Sequence, residues 1–120
     1  MQTEEGPPVF DHAAALERVD GDEELLAELA GLFLEDAPGL LAQIKDGVAQ
    51  RDGNRLERAA HSLKGSASNI DALATVEAAR ALETIARDGE LSQVGPVAAR
   101  VEGEVARLTD VLTKLTGGQG

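Results

Sequence analysis

Reactive side chains in this sequence concentrate in one short segment, Ala59 to Ala67, which contains His61, one of two histidines in the chain. Lys64 follows His61 by three residues and Gly65 by four, so in a helix all three lie on one face. A neutral imidazole is a nucleophile near pH 7, and its phosphorylation gives a high-energy phosphoramidate. Lys64 can place an ammonium beside phosphate oxygens. This spacing predicts a nucleophilic histidine on an exposed helix face.

Gly65 is the unusual member of this group, because glycine inside a helix costs about 1 kcal/mol relative to alanine. Without a side chain there, a partner's active site can approach the ring of His61 closely. Yet a lone helical histidine with a lysine nearby is also a common surface arrangement. The spacing alone therefore leaves both hypotheses open.

The composition excludes several other functions. The chain has 120 residues, with 22 acidic and 11 basic side chains, a net charge of −11, and only two aromatic residues of the Phe, Tyr and Trp type, both Phe. Such a chain lacks the cationic and stacking groups of a nucleic-acid binder. It has no cysteine, no Gly-rich phosphate loop and no apolar run of about twenty residues. We therefore expect neither nucleic acid nor membrane as a partner, and no cofactor or metal held by this chain.

The length indicates one domain, too small to include a nucleotide-binding catalytic domain as well. Any phosphate chemistry must then depend on a partner. The acidic start, residues 1–5, is not a signal peptide, so we expect a cytoplasmic protein. We predict a flexible leader over residues 1–8, the domain over 9–116 and a flexible tail over 117–120.

The segments that must position His61 all have helical periodicity. A short first helix is predicted from Asp11 to Val19, ended by Gly21. Its predicted buried residues are Phe10, Ala14 and Leu16.

A second helix is predicted to begin at Asp22 and to end at Asp52-Gly53. Pro38 predicts a kink or break near residues 35–39, but the spacing of apolar residues continues through it and favours one long kinked helix. The predicted apolar stripe is Leu25, Leu29, Leu32, Phe33, Leu40, Ile44 and Val48.

The third helix carries His61, and Asn54 with Glu57 resembles a capping box at its start. Its predicted buried face is Leu56, Ala60, Leu63, Ala67 and Ile70. The opposite, polar face is predicted to carry Glu57, Arg58, His61, Lys64, Gly65 and Ser68.

Two more helices follow. Asp71 is predicted to cap the fourth, which ends at Asp88-Gly89, and Pro96 suits the first turn of the last, which ends at Gly117-Gly118. Their predicted inward residues are Leu73, Val76, Leu82 and Ile85, then Val97, Val101, Val105, Leu108, Leu112 and Leu115. With short connections, these elements predict an all-α fold, an antiparallel four-helix bundle with a short extra N-terminal helix.

The run His61-Ser-Leu-Lys64-Gly65-Ser-Ala, followed by Asn69-Ile70 and by Leu82-Glu83 on the next helix, resembles the histidine-containing phosphotransfer (HPt) domain family. The resemblance extends over nearly the whole chain. It implies that His61 accepts a phosphoryl group from a receiver-domain aspartate through its outer ring nitrogen and passes it to another receiver. It also implies that Lys64 stabilises the phosphoryl group and that Gly65 gives clearance for docking.

The same resemblance implies that the receiver supplies the Mg²⁺, so this chain is a phosphorelay intermediate rather than an enzyme with a substrate of its own. The expected partners are response-regulator receiver domains, with a hybrid sensor histidine kinase as a further candidate. A monomer is expected, because no large exposed apolar stripe is evident. The alternative is a helical docking module without phosphotransfer activity.

Arg58, Glu57 and Ser68 are candidate partner-binding residues, because they share the face of His61. Glu57 is also a candidate for orienting the imidazole. Ser68 and Asp71 depart from the family pattern, which commonly has a smaller residue and glycine there. Asp71 tolerates a left-handed turn better than most residues, so we expect it to preserve the bend.

Overall fold

The computed structural model describes residues 6–117, and all regular secondary structure in that range is helical. The predicted all-α class is thus confirmed for the described part of the chain. Its helices are α1 (His12–Arg18), α2 (Glu23–Gln50), α3 (Gly53–Ser68), α4 (Leu73–Arg87), a 3₁₀ turn (Leu91–Gln93) and α5 (Val94–Thr116).

Helix α2 is a single helix that continues through Pro38. Asp22 caps it as predicted, because its Oδ1 accepts a hydrogen bond from the Leu25 N–H at 3.0 Å. Pro38 lies on the exposed side of α2, and the helix is not broken there. The prediction of one long helix is confirmed, and a break near Pro38 was the wrong alternative.

The buried stripe of α2 differs from the predicted one at its N-terminal end. Leu25 and Leu32 are 40% and 55% exposed, whereas Leu26 and Ala30 are buried. Both stripes have helical spacing, but the inward one contains alanines, which let α3 and α5 approach closely. Because the prediction placed the leucines inward, it was wrong about which side of the N-terminal part of α2 faces the core. The buried residues of α2 are Leu26, Ala30, Phe33, Ala37, Ile44 and Gly47.

Helix α3 begins two residues earlier than a capping box at Asn54 would place it. The cap is Asp52, whose Oδ1 accepts from the Arg55 N–H at 3.1 Å, and Gly53 is already helical. Arg51, in the left-handed conformation with φ 53°, ends α2 and turns the chain. The capping box of Asn54 with Glu57 was therefore wrong. The predicted buried face of α3 is confirmed for Leu56, Ala60, Leu63 and Ala67. Ile70 is also buried, but α3 ends at Ser68, so Ile70 lies in the turn that follows and not on the helix.

Asp71 forms the turn between α3 and α4 with φ 54°, which confirms the predicted left-handed bend. It does not cap α4, because the cap is Ala72 and no side chain accepts a hydrogen bond there. Instead, the Asp71 carboxylate accepts two hydrogen bonds from Arg18, at 2.8 and 3.0 Å. The Ala74 N–H in the first turn of α4 donates to the Pro8 carbonyl at 2.9 Å. The segment before α2 thus binds the Asp71 carboxylate and one backbone N–H group in the first turn of α4.

Helix α1 buries Ala15, whereas the predicted Ala14, Leu16 and Phe10 are only half-buried. A helix of two turns that lies on the surface buries one narrow line of residues, so a shift of one position changes which side chain is covered. Residues 1–5 and 118–120, parts of the predicted leader and tail, lie outside the described residues.

The four long helices pack in a closed order, α2 against α3, α3 against α4, α4 against α5 and α5 against α2. The interface between α3 and α4 is the most extensive, and it is rich in alanine, with Ala60 and Ala79 both fully buried.

The predicted inward residues of the last two helices are mostly covered. On α4 the predicted Leu73 is exposed and Ile85 half-buried, while Val76 and Leu82 are buried. On α5 the predicted Val101, Val105, Leu108 and Leu112 are buried, and Val97 and Leu115 are half-buried. No helix within residues 6–117 is long and apolar enough to cross a membrane.

Candidate functional site

His61 lies near the middle of α3, on the face opposite the core. Its neighbours Ala60 and Leu63 are fully buried, which fixes the rotation of α3, whereas the His61 side chain is 69% exposed. An exposed ring on a helix held by its buried face has a defined direction and remains accessible to a second protein.

One ring nitrogen of His61 is bound to a carboxylate of the neighbouring helix. Its Nδ1 lies 2.9 Å from Oε2 of Glu83 on α4. A carboxylate only accepts hydrogen bonds, so the proton of this contact belongs to Nδ1 of the neutral ring. The Nε2 atom then carries the free lone pair. Glu83 therefore selects the tautomer in which the outer nitrogen is the nucleophile.

Glu83 is itself a buried carboxylate, with its side chain only 5% exposed, and three cationic or basic groups converge on it. Lys64 Nζ lies 2.7 Å from Oε1, and Arg87 Nη2 donates to Oε2 at 2.9 Å. A buried charge without such partners would be strongly destabilising. The contacts of Lys64, Arg87 and His61 therefore allow Glu83 to lie between α3 and α4.

The pKa of Glu83 follows from this environment. Burial is the largest single influence and by itself raises the pKa of the carboxyl, but the hydrogen bonds from Lys64 and His61 lower it. Together with the charges of these two residues, they hold the pKa of Glu83 below its ordinary value. The group is consequently an ionised acceptor at neutral pH.

Glu57 lies on α3 and is linked through Arg87 to the cluster of His61, Lys64, Glu83 and Arg87. The Arg87 Nε donates to Glu57 Oε2 at 3.0 Å, so one guanidinium joins Glu57 on α3 to Glu83 on α4. Glu57 is therefore not the residue that binds the ring; that contact is made by Glu83.

Gly65 has a helical conformation and an open surface. A Cβ built on it has no heavy atom within 4 Å outside its own helix backbone and chain neighbours. No internal contact or unusual backbone angle therefore requires glycine at this position. Since glycine weakens a helix, its presence beside His61 is not explained by any contact within the described residues.

The other predicted site residues lie on the same exposed face. Arg58 is exposed and lines a surface hollow beside the ring, together with Glu57, Ser62, Glu83 and Arg87 as well as His61 itself. Ser68 is exposed at the end of α3, about 10 Å along the helix axis from His61. The polar face predicted from the sequence is thus brought together, with Ser68 at its edge.

Two residues of this cluster were not predicted as site residues, Glu83 and Arg87. The sequence did contain a signal for Glu83, because it follows Ala79 by four residues and Val76 by seven and thus occupies a core position of α4. A carboxylate at a core position needs a polar partner. Arg87, four residues after Glu83, has the spacing of an intrahelical ion pair.

Within the described residues, no group of three or more histidine and acidic side chains is arranged to hold a metal ion. The cluster around His61 is instead built from one buried carboxylate, Glu83, and the basic groups that bind it. Its chemistry is that of an oriented nitrogen nucleophile.

The comparison with known families agrees with this geometry. The family model described as Hpt domain matches residues 28–111, which include every residue of the cluster. The chain belongs to the Hpt domain family.

Among solved structures, this Hpt chain is similar to the crystal structure of histidine-containing phosphotransfer protein B (HptB) from Pseudomonas aeruginosa PAO1. The two chains share 25% sequence identity with a TM-score of 0.82, over 91% of this chain and 95% of HptB. No curated protein sequence gives a significant match.

The chain is accordingly a histidine phosphotransfer protein of a phosphorelay. Hpt proteins are phosphorelay intermediates that work with receiver domains and kinases, and the docking module without phosphotransfer is not favoured.

Proposed function

We propose that His61 accepts a phosphoryl group on Nε2 from a receiver-domain aspartate and passes it to the aspartate of another receiver. The observation that carries this proposal is the exposed ring whose Nδ1 is bound to the buried Glu83. The arrangement leaves Nε2 unprotonated and directed away from the cluster.

The transfer step balances with the groups present. The Nε2 lone pair attacks phosphorus, the N–P bond forms, and the acyl O–P bond of the aspartyl phosphate breaks to release a carboxylate. The proton on Nδ1 stays in place, so the phosphorylated ring is cationic beside the Glu83 carboxylate, 2.9 Å away in the free protein. Donation to the second receiver is the reverse reaction. Because the N–P bond breaks more easily from a cationic ring, Glu83 also keeps the phosphoryl group transferable.

Lys64 is proposed to stabilise the phosphoryl group. Its ammonium pairs with Glu83 Oε1, while Nδ1 of the His61 ring hydrogen-bonds Oε2, so one carboxylate holds both groups. When the ring becomes cationic, its ion pair with Glu83 strengthens and the attraction between Glu83 and Lys64 weakens. Lys64 can then turn toward the phosphoryl oxygens. Gly65 is proposed to give the receiver clearance, which the open space above it supports.

The receiver is proposed to dock on the exposed face of α3, with Arg58, Glu57 and Ser68 as partner-binding residues. Mg²⁺ is proposed to be held by the receiver, whose acidic pocket completes the site. In-line transfer through a loose transition state needs positioning and charge stabilisation, and a rigid α3 supplies the direction of attack. We expect a weak, transient and salt-sensitive complex, since such a docking interface is small.

The finer architecture belongs to the same proposal. The closed packing order of α2 to α5 and their short connections support an antiparallel four-helix bundle with α1 as the short extra helix. A monomer and a cytoplasmic location stay predictions from the sequence.

The test uses wild type, His61→Gln and, as the matched control, His12→Gln. His12 is exposed on α1, with its ring stacked on Phe10. Each protein is incubated with phosphoramidate or with a phosphorylated receiver, and its intact mass is read before and after mild acid. One acid-labile phosphoryl group is expected on wild type and on His12→Gln, and none on His61→Gln. Equal labelling of all three proteins would overturn the assignment.

A further inference from the structure

Arg58 lines the same surface hollow as His61 and carries a positive charge that has no ion-pair partner within residues 6–117. It is exposed and makes no ion pair or side-chain hydrogen bond within residues 6–117. The helix itself offers no carboxylate, because the positions three and four residues away are Asn54, Arg55, His61 and Ser62. By contrast, Arg55, Arg80 and Arg107 each have an acidic residue three positions earlier and pair with it.

The two other cations of the cluster are occupied. Lys64 lies on Glu83 Oε1 at 2.7 Å, and Arg87 divides its donors between Glu83 and Glu57. Lys64 and Arg87 keep free N–H donors, but the charge of each is already offset by a carboxylate, which weakens its attraction for a phosphoryl group. The charge of Arg58 is not offset by an ion pair within residues 6–117.

The direction of the side chains also favours Arg58. Side chains on a helix lean toward its N-terminus, so the His61 ring lies over the turn that contains Arg58. The hollow on this side of the ring is lined by both residues, and Lys64 does not line it. A phosphoryl group at the mouth of this hollow is within reach of the guanidinium.

We propose that Arg58 contacts the phosphoryl group carried by His61 and is a catalytic residue of the transfer, beyond a role in docking the receiver. The proposal rests on His61 being the phosphoacceptor. The guanidinium forms a planar fork that matches two phosphoryl oxygens, and it donates hydrogen bonds without giving up a proton. No bond is made or broken at Arg58 itself.

The test separates contact with the phosphoryl group from contact with a receiver, because a small donor needs no docking. Wild type, Arg58→Gln, Arg58→Lys and the control Arg100→Gln are phosphorylated with phosphoramidate. Arg100 is likewise exposed but lies on α5, which packs against α2 and α4. The rate of labelling is followed by intact mass, and the phosphoryl ionisation by the ³¹P chemical shift as a function of pH.

For Arg58→Gln we expect about fivefold slower labelling and a ³¹P titration midpoint raised by about half a pH unit, since an exposed cation nearby favours the dianion. Arg58→Lys should recover part of both effects, and Arg100→Gln should behave as wild type. Wild-type labelling and titration of Arg58→Gln would overturn the proposal, even if transfer from a receiver were impaired. Labelling of His61→Gln would instead contradict the proposed function, so the two failures are distinguishable.

Discussion

Replacing Gly65 with alanine should make this protein more stable and, at the same time, a poorer partner for a phosphorylated receiver. The added Cβ finds nothing within 4 Å, and the backbone is helical, so the substitution meets no internal strain. The gain in helix propensity is about 1 kcal/mol, which corresponds to a rise in Tm of about 4 °C for a domain of this size. The same methyl group would stand in the space proposed for the receiver.

Two other glycines provide controls for the stability arm. Gly103 on α5 is also open, with only the flexible end of Arg107 at 4.0 Å from the added Cβ. Gly103→Ala should stabilise the fold similarly and leave transfer unchanged. At Gly47 the added Cβ would lie 2.7 Å from Leu56 Cγ. Gly47→Ala should therefore destabilise the fold, by about 1–3 kcal/mol.

The assays are thermal unfolding and the rate of phosphoryl transfer from a phosphorylated receiver, with phosphoramidate as a donor that needs no docking. For Gly65→Ala we expect receiver-dependent transfer to fall about tenfold or more, since a small displacement of the reacting groups is costly. Labelling by phosphoramidate should stay close to wild type. A lower Tm than wild type, or an unchanged rate of transfer from the receiver, would refute the reasoning.

Three further predictions concern the groups that hold the fold and the site together. Arg18→Ala should lower the urea midpoint while Asp71 is present, because it leaves a buried carboxylate unpaired, but not in an Asp71→Gly background; equal losses in both backgrounds would contradict this. Thr75 is fully buried, and its hydroxyl has no hydrogen-bond partner within residues 6–117, so Thr75→Val should raise the free energy of unfolding by about 1 kcal/mol in urea titrations, and a lower midpoint would argue against it. The lowered pKa of Glu83 means that its ionised form stabilises the fold above its ordinary pKa, and that this stabilisation is lost as pH falls through the folded pKa. Stability measured from about pH 6 to pH 3 should therefore fall less steeply in Glu83→Gln than in wild type, and identical slopes would show that Glu83 contributes nothing.

Helix α3 shows how far periodicity alone can lead. Its buried residues Leu56 and Leu63 are seven positions apart, and Ala60 and Ala67 are buried at the same spacing, so the opposite face and the exposure of His61 follow from one helix. No contact with another element was needed for this prediction. The caps were less predictable, since Asp52 and Asn54 both have suitable side chains and only the path of the preceding turn selects Asp52.

Helix α2 marks the limit of the same reasoning. Two apolar stripes of similar hydrophobicity begin at Leu25 and at Leu26. Which stripe faces the core depends on how closely the neighbouring helices approach α2. The alanines at positions 30 and 37 decide this, because they permit close contact with other helices. Hydrophobicity ranks leucine above alanine and therefore predicts the wrong stripe.

By itself, the sequence determined the helical class, the long α2, the exposed face of α3 and the segment from His61 to Gly65 as the place of the chemistry. These features depend on spacings of three and four residues, which a single helix satisfies. Only the tertiary structure decided that Glu83 binds Nδ1 of His61, that Lys64 and Arg87 share that carboxylate, and that Asp71 pairs with Arg18. Apart from Arg87 with Glu83 on one helix, these contacts join residues 19 to 53 positions apart in the sequence. They depend on how the helices pack together, so no local pattern contains them.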